Sequence, residues 1–248
     1  MRKFGLIGYP LSHSFSPAYF AEKFTNEGNF DCSYQAFPIK SVEECTRLLA
    51  DNPDLEGLNV TIPYKKEIIA LLHNSTEAVK QTGACNCIKI KNSILTGYNT
   101  DVIGFEKSLL PKLTNAHTKA LILGTGGAAA AVEFVLKKLN IHFLFVSRNG
   151  HTGKSISYKD VTAELIKEYT LIINTTPLGM YPAVEQCPDI AYDFLMAEHY
   201  LYDLIYNPAE TLFLKKGAEK GAVTKNGSDM LIIQAEESWK IWNRDDMA

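Results

Sequence analysis

Short apolar runs alternate along this chain with stretches in which apolar residues return every three or four positions. Those are the periods of buried strands and of helices with one apolar face. Phe4–Gly8, Cys32–Phe37 and Gly57–Thr61 read as strands, and Ala84–Ile90 with Ile94–Gly97 reads as a hairpin through Lys91-Asn92-Ser93. Three helical patterns fall between them. The first takes Ser16 as its cap and Pro17 at its first position, with Phe20 and Phe24 one turn apart on a core face. The second opens on a Ser41/Glu44 capping box and runs to Leu49, and the third runs from about Lys65 to Leu72. This alternation predicts an α/β domain over residues 1–100.

The second half repeats the alternation with longer helices. Thr100 caps a connecting helix from Asp101 to about Leu110, which Pro111 ends. Ala120–Leu123 is an apolar strand, Gly124, Gly126 and Gly127 permit a tight turn, and an Ala-rich helix follows to Leu139. Strand, glycine turn and helix in that order are similar to the dinucleotide fingerprint, here G-x-G-x-x-A across Gly124, Gly126 and Ala129. Further strands at Phe143–Val146, Leu171–Asn174 and Tyr200–Leu204 predict an open parallel sheet with helices on both faces over residues 101–230. The last helix, from about Ser228 to Trp242, carries Leu231, Ile232, Ala235 and Trp239 at helical spacing. Residues 231–248 are expected to return to the first domain.

Composition narrows the chemistry. The chain has 248 residues, 46% hydrophobic and 21% charged, with a net charge of −3 and no basic block, which argues against a nucleic-acid partner. Its five cysteines form no CxxC pair and no metal-like Cys/His spacing, so no metal is expected. No run is long enough to span a bilayer and no signal peptide opens the chain, so a cytoplasmic protein is expected.

Several polar residues stand where chemistry is done. Arg148 follows the second strand of the nucleotide unit, where an NAD enzyme usually places an acid; a cation there favours the extra phosphate of NADP, with Lys154 near it. Lys65 and Lys66 occupy the first turn of their predicted helix, where positive charge opposes the helix dipole and favours a neutral amine able to exchange protons. Charge alone does not distinguish the two. Asp101 opens the connecting helix beside any cleft between domains, and Ser14 and Ser16 alternate in a Pro-bounded loop suited to a small carboxylate or hydroxyl. His13 reads as a loop residue.

These segments together resemble the shikimate dehydrogenases over nearly the whole chain. Ser14-Phe15-Ser16 resembles that family's Ser-x-Ser motif, and Asn59-Val60-Thr61-Ile62-Pro63-Tyr64-Lys65 its Asn-Val-Thr-x-Pro-x-Lys segment. Gly83-Ala84-Cys85-Asn86, Asn99-Thr100-Asp101, Tyr202-Asp203-Leu204-Ile205-Tyr206 and the Gly227–Gln234 segment follow in the family's order. Three positions depart from the family's usual residues: Cys87, Ala130 in the glycine-turn helix, and the neighbours of Arg148 in Ser147-Arg148-Asn149.

The resemblance implies an N-terminal α/β substrate domain and a Rossmann-like doubly wound NADP domain, with the C-terminal helix returning to the first. It implies Lys65 as the proton-transferring residue with Asp101 as its partner. It places the substrate against Ser14, Ser16, Asn59, Thr61, Lys65, Asn86, Asp101, Tyr206 and Gln234. It places NADP against Gly124, Thr125, Gly126, Gly127, Ala128, Ser147, Arg148, Asn149, Thr175, Leu204, Gly227 and Met230. The expected reaction is reversible NADPH-dependent reduction of 3-dehydroshikimate to shikimate, by a monomer or homodimer. The rivals are a dehydrogenase with relaxed use of quinate or NAD, and a non-enzymatic NADP-binding sensor on the same fold.

Overall fold

A computed structural model describes residues 1–12, 14–148, 150 and 155–244. The chain divides into two compact units, Met1–Thr100 with Gln234–Ala248, and Asp101–Ile233.

Unit 1 is built on a mixed six-stranded sheet. Its strands are β1 (Arg2–Gly8), β2 (Cys32–Pro38), β3 (Leu55–Val60), β4 (Asn74–Ser75), β5 (Cys87–Lys91) and β6 (Ile94–Tyr98), in the order β2-β1-β3-β5-β6-β4. β1 lies parallel to β2 and β3, whereas β5 runs antiparallel to β3 and β6. The β5–β6 turn uses Asn92 and Ser93, both at positive φ, the conformation a two-residue hairpin demands. Helix α1 (Phe15–Asn26) buries Phe20 and Phe24, as their spacing predicts. With Phe4 and Trp242 they form an aromatic cluster on one face of the sheet.

Helices α2 (Glu44–Asp51) and α3 (Glu77–Thr82) complete the main part of this unit, and α4 (Thr100–Leu109) opens at its boundary.

Unit 2 carries six parallel strands: β7 (Lys119–Leu123), β8 (His142–Ser147), β9 (Ser155–Ser157), β10 (Leu171–Asn174), β11 (Tyr200–Asp203) and β12 (Val223–Lys225). They lie in the order β12-β11-β10-β7-β8-β9, so the chain starts in the middle, winds one way through β8 and β9, then returns to wind the other way. That is the doubly wound dinucleotide-binding order, with its switch point between β7 and β10. Helices α5 (Gly127–Lys138), α6 (Ala163–Glu168) and α7 (Leu212–Glu219) connect the strands, and α8 (Ser228–Asn243) begins in unit 2 and ends in unit 1.

Local expectations fail at five places, the first being Thr100, which is the opening residue of α4 rather than its cap. Ser16 is not the cap of α1: the helix starts at Phe15, Ser14 is its N-cap, and Ser16 points into the buried side of the first turn. The Ser41/Glu44 box does not form, because α2 begins at Glu44 behind an uncapped, already helical Glu43. No α-helix runs from Lys65 to Leu72: turns lead into a short 3-10 segment over Glu67–Leu71, which carries little dipole to act on the two lysines. Ile232 faces outward on α8, whose buried positions are Gln234, Ala235, Ser238, Ile241 and Trp242.

Candidate functional site

The carboxyl ends of β3 and β6 and the start of β5 lie on one edge of the first sheet, and the candidate substrate residues of unit 1 gather there. Val60 donates its N–H to the Asn86 carbonyl at 2.9 Å, and Asn86 donates its own to Tyr98 at 3.1 Å, so three strands meet at Asn86. Thr61, just past β3, donates its N–H to Ile7, and Lys65 accepts the Cys85 N–H at 2.7 Å; both residues are half-buried. Those bonds anchor the Thr61–Lys65 backbone against β1 and the segment before β5, and the lysine stem leaves from a braced turn. Ser14 is half-buried at the start of α1.

Asn86 and Asn59 are placed differently from a pair of open amides. Asn86 Oδ1 accepts the Thr100 N–H at 2.6 Å, and Asn86 Nδ2 donates to Thr100 Oγ1 at 3.0 Å. Asn59 Nδ2 donates to the Asn86 carbonyl at 3.3 Å and to Ser238 Oγ at 2.9 Å, while its Oδ1 accepts from Tyr34 Oη at 2.8 Å. Gln234, buried on α8, gives its carbonyl to the Ser238 hydroxyl at 2.9 Å. Tyr34, Thr100 and Ser238 are thus members of this cluster that sequence reading leaves out. Thr100 leaves a sequence trace as the middle of Asn99-Thr100-Asp101, and Ser238 as a second polar residue, with Gln234, on the buried face of α8.

In unit 2 the ends of parallel strands line one edge in the same way. Gly124 follows β7 at φ +104°, and a Cβ there would lie 2.8 Å from Thr175 Oγ1, so the glycine lets the ends of β7 and β10 close together at the switch point. Thr175 donates its hydroxyl back to the Leu123 carbonyl at 2.7 Å. Beyond the turn, Gly126 caps α5, and a Cβ added at Gly126 or Gly127 would meet nothing within 4 Å. Thr125 and Ala128 are exposed beside them. The result is an open cradle at the start of a twelve-residue helix, with backbone N–H groups and the helix dipole on offer to a pyrophosphate.

Two further strand ends border that edge. Half-buried Ser147 ends β8 and exposed Arg148 follows it. The sequence holds no Asp or Glu from Ser147 to Lys154, so the residues fit a 2′-phosphate better than a free ribose hydroxyl. Leu204 follows β11, and Gly227 lies so close to it that a Cβ on Gly227 would come within 2.1 Å of the Leu204 carbonyl oxygen. The structure therefore brings Leu204 and Gly227 together, with Met230 in the first turn of α8 and Tyr206 exposed after β11. Asn149, Lys154 and His13 lie outside the described residues.

One buried acid was not singled out as a site residue. Asp203 ends β11 with no solvent exposure, and burial pushes its carboxyl up to about 6 although hydrogen bonds from Thr211, the Ile205 N–H and Asn174 pull the other way. A carboxylate in the run Tyr200-Leu201-Tyr202-Asp203-Leu204 is the signal that marks it. Among the described residues no group of three or more His, Cys, Asp or Glu could hold a metal ion, and no helix is long and apolar enough to cross a membrane.

Comparison with known proteins bears on both units. Residues 6–88 match the family model described as the shikimate dehydrogenase substrate binding domain. A shikimate dehydrogenase (NADP(+)) of Methanococcus maripaludis is 38% identical over 257 residues, covering 96% of this chain and 90% of that protein. A crystal structure of shikimate dehydrogenase in complex with NADP+ is 32% identical, covers 98% of this chain and 90% of that one, and superposes with a TM-score of 0.86. The Thermus thermophilus enzyme, solved with NADP(H) and shikimate, is 28% identical, with coverage of 98% and 94% and a TM-score of 0.86.

Proposed function

The chain belongs to the shikimate dehydrogenase family, and on that premise we propose that it catalyses the reversible NADPH-dependent reduction of 3-dehydroshikimate to shikimate. The feature that carries this reading is the β7 turn: an open glycine cradle at a doubly wound switch point, with Arg148 rather than an acid beyond the next strand. When bound, NADPH supplies the hydride.

The chain's own residues supply position and the proton. Residues 1–100 with 231–248 form the substrate domain and 101–230 the cofactor domain. Lys65, on its braced turn, donates a proton to the oxygen of the ketone as negative charge develops there, and takes it back in the reverse direction. Asp101 orients that amine and an adjacent substrate hydroxyl. Ser14 and Ser16 hold the ring carboxylate, while Thr61, Asn86, Tyr206 and Gln234 hold hydroxyls or close the pocket, with Asn59 beside them. Gly124, Thr125, Gly126, Gly127 and Ala128 cradle the pyrophosphate, Ser147, Arg148 and Asn149 the 2′-phosphate end, and Thr175, Leu204, Gly227 and Met230 border the nicotinamide side. The enzyme works in the cytoplasm as a monomer or homodimer.

The NADPH absorbance band tests this directly. Wild-type protein is expected to consume NADPH with 3-dehydroshikimate and to form it from shikimate and NADP+. Lys65→Ala is expected to lower kcat by about a thousandfold while NADPH still binds. No turnover by the wild type would overturn the activity, and an equally active alanine variant would overturn the role of Lys65.

A further inference from the structure

Asn59 has no N–H left to give. An amide nitrogen carries two donors, and here one goes to the Asn86 carbonyl and the other to Ser238 Oγ. Its oxygen takes the Tyr34 hydroxyl, so the whole side chain is held by protein at 4% exposure. Ser238, fully buried, passes the chain on: it accepts from Asn59, donates to the Gln234 carbonyl one turn back on α8, and lies 3.3 Å from Thr100 Oγ1. Thr100 completes the circuit by bonding both ends of the Asn86 amide. The Tyr34 ring stacks on Phe20 at 4.5 Å between centroids, four residues on from Ser16 along the same helix. Burial pushes the Tyr34 phenol well above its ordinary pKa, with Ser16 pulling the other way, so it stays a donor at neutral pH.

Such a cluster is an expensive way to fill a core. Buried polar groups gain little net stability over apolar packing, but when every member is satisfied they define one arrangement of their neighbours. The neighbours here are Asn86 and the Gln234 turn of α8. We propose that Tyr34, Asn59 and Ser238 are positioning residues for the substrate: they fix Asn86 and the Gln234 segment for binding without touching the ring themselves. This rests on the reading of Asn86 and Gln234 as substrate contacts, and it moves Asn59 from contact to support.

Steady-state kinetics of Tyr34→Phe, Ser238→Ala and Asn86→Ala tests the proposal. Tyr34→Phe and Ser238→Ala each remove one hydroxyl and are expected to raise KM for shikimate about tenfold, with kcat within about threefold and KM for NADP+ unchanged. The double variant is expected to fall short of the product of the two single effects, since both act through one amide. A parallel rise in both KM values, or a change in shikimate KM below twofold, overturns it. If Asn86→Ala raises KM for shikimate while the other two do not, positioning fails and the substrate assignment stands. If Asn86→Ala leaves KM unchanged, the assignment falls and the proposal with it. Should Ser238→Ala not fold, Tyr34→Phe, which changes shape least, carries the test alone.

Discussion

Asp203 shows how one residue couples this fold to pH. Its carboxyl, pushed up to about 6 by burial, holds its proton more tightly in the folded chain than in the unfolded one. The stability it contributes is therefore fully present below the unfolded value and is lost as pH rises through about 6, a swing of up to about 3 kcal/mol. Asp203→Asn keeps an oxygen for Asn174 and the Ile205 N–H and turns its amide toward the Thr211 hydroxyl. The variant is expected to gain on the wild type between pH 4 and pH 7 by about that amount. Urea melts across that range would show it, and a constant difference would refute it. Lys65 shows the limit of reading single residues: a dipole effect there needs an α-helix, and the chain instead forms turns that lead into a 3-10 segment only at Glu67.

At the scale of elements, strands, glycine turns and the start of α8 at Ser228 were legible, and helix caps were not. The run Leu171–Asn174 is the observed β10 to the residue, and Lys91-Asn92-Ser93 is where the hairpin turns. Ser16 and Ser41 mislead because a cap residue is defined by which N–H its side chain meets, and backbone and tertiary packing choose that. The junction of β11 with α8 is the tightest of these elements. A Cβ on Gly227 would strike the Leu204 backbone, which cannot rotate away as a side chain can. Gly227→Ala is accordingly expected to cost about 1–3 kcal/mol and to weaken NADPH binding at least tenfold. Denaturant melts and a fluorescence titration of NADPH would measure both, and unchanged values would show that the junction has slack.

For the molecule as a whole, the two chain ends build one core. Trp242 stacks on Phe4 at 4.9 Å and donates its indole N–H to the Ile88 carbonyl at 3.0 Å, and Gly57 leaves the space its ring occupies. Unit 1 is therefore incomplete until the last helix is made, after all of unit 2. Trp242→Ala, at a site 4% exposed, is expected to cost about 3–5 kcal/mol in a denaturant melt. A loss under about 1 kcal/mol would mean that α8 contributes little to that core.

Periodicity, the glycine turn and the residue after β8 are local properties, so the sequence alone determined the α/β class and the doubly wound second half, and it carried the expectation of NADP rather than NAD. What only the tertiary structure decided is which polar side chains are already spent on the protein. Asn59 and Ser238 are 179 residues apart, and nothing near either one in the chain foretells their bond. A hydrogen bond saves a buried donor only if a partner arrives in the right place, and for these groups the partner is delivered by the fold.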